Sequence, residues 1–174
     1  MKPVYWCLSA LLCLPLPVVA TEAALQDNVT VLGQPLRLLA ENGQCILHYQ
    51  TGGENRTIAL KPAPPCFFLR HDKTSPQHFA YPDRKVAAAL IVGGTAPNTE
   101  QRRVWRLAAD PLCGVELQGI LLSGKQFRAT RLVMKSGHAC KDNGLDEKDF
   151  WTFAHEKDEA PAKPVKKSKS SAQD

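Results

Sequence analysis

Four cysteines, Cys45, Cys66, Cys113 and Cys140, stand well apart in the body of this chain, while Cys7 and Cys13 fall in an apolar N-terminal stretch. An even count of spaced cysteines in an exported chain predicts two disulfides, and two cross-links restrict the folds such a chain can adopt. Three pairings are possible. Cys45–Cys66 with Cys113–Cys140 is favoured because shorter loops close at lower entropic cost. Each bridge would stabilise the fold by about 2–4 kcal/mol. Zinc is the rival use of cysteine, but no C-x₂₋₄-C pair occurs and His138-Ala-Cys140 is the nearest approach to one. No C-x-x-C redox motif and no haem-attachment motif is present.

Export is read from the first twenty residues, MKPVYWCLSALLCLPLPVVA. Lys2 is a short basic start, Val4 to Val19 an apolar segment, and Val18-Val19-Ala20 a cleavage pattern. A signal peptide over 1–20 is therefore expected. A membrane anchor is the competing reading, but the stretch is shorter than the roughly 20 residues a spanning helix needs, and Pro15 and Pro17 interrupt it. The expected compartment is a bacterial periplasm, with secretion as the alternative. Residues 21–155 then form one domain, and 156–174 a flexible charged tail with no apolar residue larger than Val165. Loss of Lys2 lowers the formal charge from +5 to +4, and the tail holds five lysines against four acids, leaving +3 on the body. That charge is too small and too scattered for a nucleic-acid partner.

The body reads as short extended runs between turn signals, so the expected fold is mainly β, a small antiparallel sandwich or barrel with one C-terminal helix. CILHYQ and RTIALK suggest a hairpin around a loop of about five residues, TGGEN. CFFLRH follows PAPP, and those prolines exclude a helix there. VAAALIVGG has strand length, although its alanines leave some helical character. VWRLAAD, VELQGILLS and FRATRLVMKS follow as further strands, the last two joined at Gly124-Lys125. The segment GHACKDNGLDEKDFW contains helix-start chemistry. Asp142 or Asn143 can cap, Asp146 and Glu147 suit a first turn, and Phe150, Phe153 and Ala154 share one face. Leu145 and Trp151 border that face, and His155 and Lys157 suit the helix end.

No catalytic pattern emerges. G-x-S-x-G is absent, and neither Ser75, Ser123 nor Ser136 stands in a triad context. Asp142 to Glu147 does not follow the calcium-loop order. A carboxylate pair built from Glu116 has little specificity in a chain with seventeen acids. Gly93-Gly94 ends a strand without the features of a phosphate loop. Arg102, Arg103 and Arg106 surround Trp105, a composition found both in binding hot spots and along charged strand edges. Asn28 and Asn55 open glycosylation sequons.

The expected function is a non-enzymatic protein-binding module of the inhibitor or immunity type, acting on an envelope enzyme or toxin. The expected contact surface is the long loop HDKTSPQHFAYPDR, 71–84, next to Cys66, with His71, Asp72, His78, Phe79 and Tyr81 as contacts. The alternatives are a small-ligand or metal-binding envelope protein using His71, His78 and His138, or a structural envelope component. No cofactor is expected, and no partner or oligomeric state is specified.

Overall fold

The computed structural model describes residues 24–107 and 112–157. The signal-peptide reading and the tail beyond Lys157 concern residues outside these. Among the described residues, nine strands build two antiparallel sheets. The first is a meander of β1 (Ala24–Val31), β2 (Gln34–Glu41), β3 (Gln44–Thr51) and β4 (Glu54–Ala59), in that order. Leu32-Gly33, Asn42-Gly43 and Gly52-Gly53 make its three turns, each with positive φ at both residues. Primed two-residue turns require that backbone, and they match the strand twist. The β3–β4 hairpin is the one expected, but Thr51 pairs with Glu54, so its loop is two residues and not five.

The second sheet contains β5 (Phe67–Phe68), β6 (Phe79–Tyr81), β7 (Val86–Gly94), β8 (Cys113–Ser123) and β9 (Gln126–Cys140). Its order is β5-β7-β8-β9, with β6 also pairing β7. VAAALIVGG is β7, and it lies inside on both faces. Ala88, Leu90 and Val92 pack towards the first sheet, while Val86, Ala89 and Ile91 face the C-terminal helix. A strand covered on both sides needs no polar alternation, which removes the helical ambiguity. The architecture is thus a sandwich with a helix on its outer side, in three layers around two cores.

Two expectations change. VWRLAAD has the composition of a strand, but Thr99–Val104 is a short helix, α1, and Trp105 and Arg106 turn out of it. Asn98 and Gln101 form a reciprocal capping box, and Arg106 has φ of 52°, so local chemistry starts and stops the helix there. Residues 108–110 of that run lie outside the described set. The C-terminal helix, α2, spans Glu147–Ala154 and begins at Asp146, later than the expected cap at Asp142 or Asn143. Residues 141–143 form a turn, and Gly144 at φ of 65° separates it from the helix. The apolar face is as read: Phe150, Phe153 and Ala154 are buried.

The disulfides are Cys45–Cys66 and Cys113–Cys140. The first joins β3 to the segment entering β5 and so ties one sheet to the other. The second joins facing positions of β8 and β9. Glu156, assigned to the tail from sequence, is held by β9. Its carboxylate accepts from the backbone N–H groups of Arg131 (2.8 Å) and Leu132 (3.0 Å) and from Arg128 (3.0 Å). No helix among the described residues is long and apolar enough to cross a membrane.

Candidate functional site

The chain leaves β5 through Arg70 and returns at Gln77, and both ends of that excursion are fixed. Arg70 N–H donates to the Lys141 carbonyl (2.8 Å), and Gln77 N–H to the Leu69 carbonyl (2.9 Å). The Gln77 amide also brackets Leu145, donating to its carbonyl (2.7 Å) and accepting from its N–H (2.8 Å). Within the loop, Asp72 Oδ1 accepts from Thr74 N–H (2.7 Å), Ser75 N–H (2.7 Å) and the Thr74 hydroxyl (2.8 Å). Those bonds, led by the Ser75 amide, lower the Asp72 pKa to about 2. Residues 71–75 are all exposed, so this is a surface turn held by an ionised side chain.

The five expected contact residues divide. His71, Asp72 and His78 are exposed, with His78 Nδ1 beside the Pro76 carbonyl (3.2 Å). Phe79 and Tyr81 instead belong to β6 and pack under α2. Phe79 meets Phe150 edge to face at 4.9 Å. Tyr81 is only 5% exposed, its hydroxyl donates to the Glu147 carbonyl (3.2 Å), and its ring abuts His155. Burial, reinforced by Glu147, pushes the Tyr81 phenol up to about 12. These two aromatics anchor the loop and do not form its outer surface.

Beside the loop lies an open groove of about 650 Å³, lined on one side by β1 and β2 and on the other by residues 73–76. At its base sits a charged cluster that sequence reasoning missed. Asp27 is 7% exposed and Arg70 6%. Asp27 Oδ1 accepts from Arg70 Nη2 (2.7 Å), Lys141 Nζ (2.9 Å) and Asn28 N–H (2.9 Å), and Oδ2 accepts from Phe68 N–H (2.9 Å). Arg70 also reaches the Asn28 carbonyl (3.1 Å) and the Thr74 carbonyl (2.9 Å), joining the groove base to the loop. Arg37 and Lys73 stand exposed at the groove margin.

A signal for two of these residues exists in the strand phase. Asp27, Val29 and Val31 alternate on the inner side of β1, as Cys66, Phe68 and Arg70 do around β5. A charge on an apolar phase demands a buried partner. Lys141 carries no comparable mark, since 114 positions separate it from Asp27.

The metal alternative gains no geometry: His71, His78 and His138 do not converge, and no group of three or more potential ligands forms among the described residues. His138 stacks on Trp105 instead, with ring centres 5.2 Å apart. The Arg102–Arg106 cluster belongs to α1 and its terminus, with Arg103 paired to Glu100.

Fold and site together define a disulfide-linked β-sandwich that presents a fixed surface loop beside a cationic groove. Comparison with family models, curated proteins and solved structures finds no significant match for this chain.

Proposed function

We propose that the protein is exported, to a bacterial periplasm or beyond the cell, and acts there as a non-enzymatic binding module of the inhibitor or immunity type. Its target class is an envelope enzyme or toxin. The observation that carries this reading is the exposed 71–75 turn, which Asp72 locks through three hydrogen bonds while Arg70 and Gln77 hold its ends. A loop already in one conformation loses little entropy on docking, and this is how inhibitor-type loops gain affinity. Two intramolecular disulfides suit an oxidising compartment. His71, Asp72 and His78 serve as contacts. Phe79 and Tyr81 serve as the loop's anchors.

The test is capture by the oxidised full chain, exported from a bacterial host, from an envelope extract. The expected result is one stoichiometric partner whose own activity falls on binding. Replacing His71 and His78 together by Ala should weaken capture by about 1–2 kcal/mol for each imidazole removed, while the melting temperature holds. Capture that ignores both substitutions would remove the loop from the proposal, and the absence of any partner would remove the binding module itself.

A further inference from the structure

The groove beside the loop has a charge imbalance built into its base. Among the described residues, four cations line it (Arg37, Arg70, Lys73 and Lys141), and Asp27 is its one acid. The capacity of Asp27 is already spent on Arg70, Lys141 and two backbone N–H groups. One carboxylate neutralises one of the two cations it touches. A unit of positive charge therefore remains where the Lys141 side chain is only 25% exposed and Arg70 is buried. Positive charge held away from water without a counterion is unfavourable, and an oxyanion entering from solvent relieves it. The Arg70 Nε–H is also buried with no acceptor among the described residues, an unmet hydrogen bond in the same cluster. At the margin, Arg37 and Lys73 have no ion-pair partner among the described residues, and Thr30 and Ser75 add hydroxyls.

We infer that this groove binds the carboxylates of an acidic protein segment. The inference rests on the binding-module reading and specifies the chemistry of the partner. The cations come from three segments (β2, the 70–73 stretch and the residue after β9) and are spread along an open volume of about 650 Å³. That space exceeds what a single phosphate or carboxylate fills, so a run of acids fits better than one small anion. Residues 73–76 form one wall, so this part of the loop and the groove would contact the same partner. Lys141 and Arg70 supply charge at the base, and Arg37 and Lys73 steer the segment in.

The experiment measures binding of a capped hexaglutamate peptide to the oxidised full chain by calorimetry at low salt, with hexaglutamine as the neutral control. Inorganic phosphate and phosphatidylglycerol vesicles are run as separate arms. The expected result is salt-sensitive binding of hexaglutamate alone. It should weaken roughly tenfold or more in the Arg37→Glu, Lys73→Glu double variant. Both side chains are exposed, so the fold should survive, and an unchanged melting temperature verifies it. The control is Lys125→Glu with Lys157→Glu, two exposed cations outside the groove, and it should bind as the parent does. Equal weakening in both double variants would reduce the effect to net charge and overturn the inference. Binding of phosphate or vesicles without the peptide would overturn the acidic-segment assignment.

Partner capture separates this inference from the one beneath it. A partner held equally well by parent and Arg37→Glu, Lys73→Glu protein leaves the binding module standing and removes the groove. Groove-dependent peptide binding with no captured partner does the reverse.

Discussion

Asp72 and Asp27 each accept hydrogen bonds from two backbone N–H groups, yet one does so in water and the other inside the protein. The exposed one is directly testable by pH. Its folded pKa, about 2, lies below the ordinary 3.8, so the turn's stabilisation is present above the ordinary value and is lost as pH falls through about 2. Amide shifts of Thr74 and Ser75 followed by NMR should therefore titrate with a midpoint near 2. A midpoint near 4 would show that the carboxylate does not hold the turn. Asp27 has the opposite character: buried charges persist only where partners surround them, and Arg70, Lys141 and the two amides provide that surround.

At the level of elements, α2 shows how far a local pattern reaches. The spacing of Phe150, Phe153 and Ala154 marks the buried face correctly, because a helix exposes its period in the sequence. Its start does not follow from composition, since Asp142, Asn143 and Asp146 all have capping chemistry and only the backbone at Gly144 decides among them. The helix lies very close to the sheet at Gly119, where a Cβ would stand 2.6 Å from Phe153 Cβ. Gly119→Val should therefore destabilise the protein by about 1–3 kcal/mol through overpacking. A denaturant midpoint indistinguishable from the parent's would mean that α2 is not docked this closely. The short helix α1 is legible in principle, since Asn98-Thr-Glu-Gln101 is a capping-box sequence. The apolar residues of VWRLAAD obscure it. The Asn42-Gly43 turn is equally legible and announces the β2–β3 hairpin.

For the whole molecule, the two disulfides should differ in consequence more than in energy. Serine pairs at Cys45/Cys66 or at Cys113/Cys140 should each lower stability by about 2–4 kcal/mol. Of the two, Cys45–Cys66 ties the sheet that walls one side of the groove to the segment that leads into the loop on the other, so its loss should also weaken partner capture. Cys113–Cys140 links strands already paired along their length, so its loss should weaken capture less, although Lys141 follows Cys140. Equal effects on capture would show that the groove does not depend on the inter-sheet link.

The sequence by itself determined the β-rich class, the helical face and the Gly124-Lys125 hairpin, and it favoured, without deciding, the cysteine pairing that the structure shows. Each of these rests on residues near one another in the chain, where turn chemistry, periodicity and loop entropy act. Only the tertiary structure decided the split of the 71–84 loop into an exposed turn and a buried anchor, because Phe79 and Tyr81 are claimed by a helix that begins more than sixty residues later. The same holds for the groove. Asp27, Arg70 and Lys141 meet because two sheets close on each other, and no local rule links positions so far apart. Charge becomes a candidate binding site there only once packing has removed the water around it.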